Sequence, residues 1–347
     1  MKQLLSGNEA IFQGAIRAGA TYFAGYPITP SSEILQQAAA LAEENPGFRF
    51  LQAEDEIAAA IGIISASLAG AKSFTATSGP GFSLMQEALG WGHAVEAPCV
   101  FVNSMRVGPS TGMPTQPAQS DLLQIKGGSA GDYYPIAFYP NSVEESFRLT
   151  VTAFNAAEES LSPVILLVDS LLSHLYEMAD LDAIEVAVVP RTKDPLGRSQ
   201  RLFTGTAHDR MGNVKTNDPE AYRDWLNDLK ERHLQAADKY PLYEYIPRKD
   251  SETLLIAFGI TSRIISSLKE RFSIFRPIRI FPVLEKELQE ITRPYRHIIV
   301  VEGNDGQYAS WTECAIHRKV MRVPCLGGGF KFQWIQSQIE ERLKEGK

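Results

Sequence analysis

The chain has 347 residues, 44% hydrophobic and 22% charged, with a formal net charge of −7, which is an ordinary globular composition with length for two domains or one large one. The acidic balance excludes a sequence-wide attraction to nucleic acid or to an anionic membrane surface, and no run reaches the roughly 18 apolar residues of a membrane span. Cys99, Cys314 and Cys325 form no CxxC pair and the opening MKQLLSGNEA has no apolar core, so no metal or cluster held by this chain alone and no signal peptide are expected, and the protein reads as cytoplasmic.

Gly7 to Ala18 carries apolar residues at helical spacing and ends at Gly19; Thr21 to Gly25 reads as a short strand. Two prolines stiffen the turn Tyr26-Pro27-Ile28-Thr29-Pro30-Ser31-Ser32. A helix to about Glu44 can start at Ser31 or Ser32 under a cap hydroxyl. A strand around Phe48 to Gln52 follows. Residues 53–81 then organise the rest. Between Glu56 and Lys72 there is no charged residue. Such an Ala/Ile/Leu run predicts a helix apolar on every side, hence buried, ended by Gly70. The plain reading of Glu54, Asp55 and Glu56 is that they complement the positive end of that helix. A sharper reading makes Glu56 a desolvated, functional carboxylate. The strand Ser73 to Thr77 runs into the loop Ser78-Gly79-Pro80-Gly81.

Pro98 to Ser104 is a continuous apolar strand, as in the middle of a parallel sheet, and ends at Met105-Arg106. Val107 to Asp121 is a long Gly/Pro/Ser/Thr loop, of a size that is usually functional or disordered. Ser142 to Ser160 is an amphipathic helix and Pro163 to Asp169 another buried strand. This alternation predicts an α/β fold with a parallel sheet covered by helices. Residues 190–250 are charged, with Asp218-Pro219 starting a helix through Ala237 whose Tyr222, Trp225, Leu226 and Leu229 share a face. That stretch reads as a connector packed on a neighbour. A second α/β unit of three or four strands follows from Glu252. It has strands Thr253 to Phe258, Arg279 to Val283 and His297 to Glu302, and helices Thr261 to about Phe272, Gln307 to Lys319 and Phe332 to Lys344. The expected division is 1–185, 186–250 and 251–347.

Three loops stand at C-terminal ends of predicted parallel strands: Tyr26 to Ser32, Thr77 to Gly81 and Arg106 to Gly112. That edge is where ligands bind in open α/β sheets. Together the loops bring Glu56, Thr29 and Arg106 to one place, and a planar guanidinium suits a bidentate carboxylate partner. A site for a small carboxylic acid is expected. There is no P-loop and no GxGxxG after a strand. Gly327-Gly328-Gly329 reads as a flexible turn, and His208 lies in a polar loop, Thr204 to Asp209.

These motifs, with Phe74-Thr-Ala-Thr-Ser-Gly-Pro-Gly81, Arg106-Val-Gly-Pro-Ser-Thr-Gly112 and Val300-Val-Glu-Gly-Asn-Asp-Gly-Gln307, resemble the α subunit of 2-oxoacid:ferredoxin oxidoreductases over essentially the whole chain. The resemblance implies a parallel-sheet thiamine-diphosphate pyrimidine-binding domain with a second, smaller α/β domain of the transketolase C-terminal type. It implies oxidative decarboxylation of a 2-oxoacid with coenzyme A to acyl-CoA, carbon dioxide and reduced ferredoxin. 2-Oxoglutarate is the preferred substrate; a branched-chain 2-oxoacid or pyruvate is the alternative. A thiamine-diphosphate decarboxylase or transketolase-like subunit without a ferredoxin step is a second enzyme class. Retention of Glu56, Thr29 and Arg106 argues against a non-enzymatic scaffold. By the same resemblance Glu56 bonds the aminopyrimidine of the cofactor and is the catalytic carboxylate, Pro27 and Thr29 lie beside cofactor and substrate, and Arg106 receives the substrate carboxylate. A GDG motif followed downstream by Asn is not found. The resemblance therefore places the diphosphate and magnesium site, and the 4Fe–4S cluster, on a β subunit. An α2β2 assembly, with further subunits in some arrangements, is implied.

Overall fold

In the structure, a computed structural model describing residues 2–198, 203–209, 211–240 and 242–345, strand and helix alternate from the first residues. Strand β1 (Gln3–Ser6) passes into α1 (Gly7–Arg17) through a capping box: Ser6 Oγ accepts from the Glu9 N–H, and the Glu9 carboxylate accepts from the Ser6 N–H. Then come β2 (Tyr22–Gly25), α2 (Ser32–Glu44) and β3 (Arg49–Gln52). The predicted cap hydroxyl on α2 is not made, because Ser31 Oγ donates instead to the Ile28 carbonyl and closes the proline turn. Helix α3 (Glu56–Leu68) is capped by Asp55, whose Oδ1 accepts from the Ala58 N–H at 2.7 Å. Gly70, at φ +102°, ends it.

The first half continues with β4 (Ser73–Thr77), α4 (Gly79–Leu84), α5 (Gln86–Ala94), β5 (Cys99–Val107), β6 (Met113–Pro117) and α6 (Leu122–Gly127). It closes with β7 (Ile136–Phe138), α7 (Val143–Ser160), β8 (Pro163–Asp169), α8 (Ser170–Ser173) and β9 (Tyr176–Ala179), which pairs with β1. The main sheet has the order β7-β8-β5-β4-β2-β3, parallel throughout. Both faces are covered, so β4 and β8 are buried along their whole lengths. Alternation along β5 splits the core: Cys99 and Phe101 face Ile63, Ile64 and Leu89, whereas Val100 and Val102 face Ile11, Phe12 and Phe154.

The second half comprises α9 (Pro219–Asp238), β10 (Tyr243–Ile246), β11 (Thr253–Ile256), α10 (Gly259–Ser266), β12 (Ser273–Pro277), β13 (Arg279–Phe281), α11 (Glu285–Thr292), β14 (His297–Glu302), α12 (Gln307–Ile316), β15 (Met321–Pro324) and α13 (Phe332–Glu345). Its sheet has five strands, β10-β12-β11-β14-β15, rather than three or four. Arg279–Phe281 is not among them: it pairs antiparallel with β7 and extends the main sheet. Strand β12 went unseen because SIFRP is short and ends in proline. The two halves share one core, where Phe258 meets both Tyr139 and Tyr308.

Three further expectations change. Helix α3 is not covered all round within this chain, since Ile57 is 47% and Ile61 41% exposed. Strand β5 runs on through Arg106 to Val107, and part of the expected long loop is β6, folded back antiparallel upon it. The Leu326–Gly328 stretch is a 3-10 turn in close approach to Gln116, with Gly327 and Gly328 both at positive φ.

Candidate active site

Strands β3, β2, β4 and β5 lie side by side and parallel, so their C-terminal ends deliver four segments to one edge. These are the start of α3, the Tyr26–Ser32 turn, the start of α4, and Arg106. Glu56, the first residue of α3, is only 6% exposed. Gly81 lies over it: a Cβ there would come 2.5 Å from Glu56 Oε1 and would also collide with Thr77 Oγ1. Only glycine lets α4 approach the carboxyl this closely. Burial raises the Glu56 pKa and Asp55 adds to the rise, opposed by its own backbone N–H and by Arg106.

Arg106 is 7% exposed and donates from Nη1 to the Thr29 carbonyl at 2.6 Å. Its Nε is buried without a hydrogen-bond partner. Among the described residues no carboxylate stands within ion-pair distance of it. Burial lowers its pKa, while Asp121 and Glu56 pull it back up. Thr29 thus touches Arg106 through its backbone; its side chain, like Pro27, is exposed on the turn.

Beside Arg106 is a cavity of about 320 Å³, lined by Gly79, Pro80, Ser83, Ser110 and Asp121 among others. Asp121 is buried and accepts from Asn103 Nδ2 at 3.0 Å. Burial pushes its pKa up to about 6, against the pull of Asn103 and Arg106. Sequence reasoning missed both residues. Asn103 carried a signal, being the one amide in the buried strand Cys99–Val107. Asp121 was hidden as the last residue of the long Gly/Pro/Ser/Thr loop, where nothing local separates a buried Asp from a solvated one. The arrangement offers a guanidinium fork with an open side to an anion, and the desolvated Glu56 carboxyl on the same sheet edge. His208 lies outside this edge: its Nδ1 meets the Thr206 carbonyl at 2.9 Å and its ring lies beside Trp225. Among the described residues no group of three or more His, Cys, Asp or Glu side chains could hold a metal ion, and no helix is long and apolar enough to cross a membrane.

A parallel sheet covered on both faces, with its ligand edge at the C-terminal strand ends, is an open α/β fold. Residues 13–245 match the pyruvate flavodoxin/ferredoxin oxidoreductase family in its thiamine-diphosphate-binding part, and the chain belongs to that family of oxidoreductase subunits. It is 38% identical to the 2-oxoglutarate synthase subunit KorA of Archaeoglobus fulgidus, over 93% of this chain and 92% of the relative. It is 34% identical to the ketoisovalerate oxidoreductase subunit VorB of Methanothermobacter marburgensis, over 88% of this chain and 87% of the relative. Among solved structures, it resembles a 2-oxoglutarate:ferredoxin oxidoreductase from Magnetococcus marinus with 2-oxoglutarate, coenzyme A and succinyl-CoA bound, at a TM-score of 0.90 and 27% identity. The match covers 99% of this chain and 65% of that one.

Proposed function

We propose that this chain is the α-type subunit of a 2-oxoglutarate:ferredoxin oxidoreductase, which turns the 2-oxoacid and coenzyme A into acyl-CoA, carbon dioxide and reduced ferredoxin. The observation that carries the proposal is Arg106, a buried guanidinium with one arm fixed on Thr29, an unpartnered Nε and an adjoining cavity. A 2-oxoacid carboxylate would complete that fork, beside the Thr29–Pro27 turn.

The residues at the edge fit the cofactor. Thiamine diphosphate, when bound, supplies a carbon nucleophile and an electron sink for loss of carbon dioxide. Glu56 would hold its aminopyrimidine side. Burial favours the neutral form of this carboxyl, so it can share a proton at a carboxyl oxygen with a ring nitrogen. Gly81 keeps the approach free of a Cβ. Diphosphate and magnesium binding and the 4Fe–4S cluster are assigned to a β subunit, ferredoxin to the electron acceptor, and α2β2 to the smallest assembly. Support comes from the naming of the relatives as subunits and from Ile57 and Ile61, an apolar stripe left open on the helix that begins at Glu56. A cytoplasmic location is proposed from three free thiols.

The choice of 2-oxoglutarate rests on the higher identity to 2-oxoglutarate synthase subunits. The test is coenzyme A-dependent reduction of ferredoxin by the complex copurified from its source, with 2-oxoglutarate, pyruvate and 2-oxoisovalerate. The highest kcat/KM is expected for 2-oxoglutarate. Preference for 2-oxoisovalerate would move the complex to the branched-chain class, and no reduction with any 2-oxoacid would refute the proposal.

A further inference from the structure

The segment that leads from the long loop into α6 is held from behind by the C-terminal sheet. Gln119 N–H donates to the Gly303 carbonyl at 2.9 Å, and Gly303 N–H donates back to Gln119 Oε1 at 2.8 Å. Asn304 Nδ2 donates to the Gln119 carbonyl at 2.7 Å. Gln307, the first residue of α12, accepts through Oε1 from the N–H groups of Leu122 and Leu123 at 3.0 and 3.3 Å, and donates from Nε2 to the Ser120 carbonyl at 2.6 Å.

Asp121 stands at the N-cap position of α6, where an Asp ordinarily satisfies the first free N–H groups of its own helix. Here its side chain makes no cap bond. Gln307 takes those N–H groups instead, and the Asp121 carboxyl is turned to the cavity. There it meets Asn103 Nδ2, and a Cβ at Gly79 would lie 3.3 Å from its Oδ2. Arg106 lines the same cavity and each charge shifts the other, without an ion pair between them among the described residues.

We propose that Asp121 is a positioning residue for the substrate anion and that Gln307 is the strap that aims it, so that the C-terminal sheet sets substrate affinity at a cavity it does not line. The proposal rests on the reading of Arg106 as the carboxylate receptor. Its physical basis is competition, because Asp121 and an incoming carboxylate face one guanidinium. Held where it is, Asp121 draws the fork without closing on it and leaves Nε to the substrate. Its charge also changes near pH 6, with Arg106 from β5 and Tyr139 after β7 as the ionisable groups that face it.

The experiment uses the assembled complex and oxamate, a non-reacting 2-oxoacid mimic, in calorimetry at several pH values. Wild-type binding should weaken as pH rises through about 6 and depend on Arg106. Asp121→Asn keeps the shape and the Asn103 bond; it should tighten binding roughly three- to tenfold at neutral pH and flatten the pH profile. Gln307→Ala frees the N–H groups of Leu122 and Leu123, which should draw Asp121 back to cap α6 and off Arg106, tightening binding by a similar factor and flattening the pH profile. Gln307→Glu keeps the two accepted bonds and loses the donated one, so it should fall between. The KM for 2-oxoglutarate should move in the same directions, more than kcat, with melting curves confirming folded variants. Binding unchanged in both Asp121→Asn and Gln307→Ala, but lost in Arg106→Ala, overturns the proposal alone. A shift in Asp121→Asn only overturns the strap. Binding absent in wild type, or indifferent to Arg106, overturns the carboxylate-receptor reading and the positioning role with it.

Discussion

Arg106 and Glu56 are buried ionisable groups whose environments oppose their charges, a pattern that marks functional sites. Every 2-oxoacid carries a C1 carboxylate, so Arg106 should serve all of them alike. Arg106→Ala should lower kcat/KM for 2-oxoglutarate, pyruvate and 2-oxoisovalerate by a common factor, roughly 10- to 100-fold for a charge-assisted hydrogen bond. Lys restores the charge without the planar fork and should rescue in part. A loss confined to 2-oxoglutarate would place Arg106 at the distal carboxylate instead. Glu56 should separate activity from stability. Its pKa is raised in the folded chain, so its charge opposes folding at neutral pH, and that penalty shrinks as pH falls through the folded pKa and is gone below the unfolded carboxyl pKa of about 4.3. Glu56→Gln should therefore raise the melting temperature of the isolated chain at neutral pH while lowering kcat of the complex about 10²- to 10⁴-fold. An unchanged kcat would reduce Glu56 to a helix-terminus charge.

At the scale of elements, helix α9 is docked through a pair of histidines. His233 on α9 and His93 on α5 lie with ring centroids 5.3 Å apart, their planes tilted by 40°. Nδ1 of His233 meets the Tyr134 carbonyl and Nδ1 of His93 the Ser162 hydroxyl, while both Nε2 atoms are buried without partners. Burial lowers the pKa of both, that of His233 to about 4. Unfolding restores the ordinary histidine pKa of about 6.5, so between pH 6.5 and 4 the unfolded chain binds more protons. Stability should therefore fall as pH drops through that window, by up to roughly 1.4 kcal/mol per pH unit for each histidine. Melting temperature against pH should show the slope, and His233→Asn should remove about half of it. A slope that survives in full would clear His233 of the effect. The neighbouring Arg232 and Lys193 are both paired with Glu96.

For the whole molecule, one helix joins the site to an open surface. Helix α3 buries Ile63 and Ile64 in the core and leaves Ile57 and Ile61 at the surface. In a composite enzyme that stripe would be covered by the β subunit as Glu56 receives the cofactor. The isolated chain should accordingly hold thiamine diphosphate weakly in calorimetry, and the complex tightly. Ile61→Lys should leave the melting temperature of the isolated chain nearly unchanged, as a surface substitution does. In analytical ultracentrifugation the same substitution should weaken assembly, because a buried unpaired charge is costly. Full assembly of the variant would place the interface elsewhere.

The α/β class, the strands Ser73–Thr77 and Pro163–Asp169, and the convergence of Glu56, Thr29 and Arg106 on one edge were legible in sequence. Each rests on local signals: apolar runs of strand length, glycine and proline at turns, and charge at a helix start. Tertiary structure alone decided what depends on partners distant in the chain. Strand Arg279–Phe281 joins the main sheet because its pairing partner is Ile136–Phe138, which no local pattern encodes. Helix α3 turns part of its apolar surface outward because only one side meets the sheet. Asp121 faces a cavity rather than its own helix because Gln307, more than 180 residues away, supplies the cap. A residue's propensity is written in its neighbours along the chain, whereas the bonds left open to it are set by whatever folds against it.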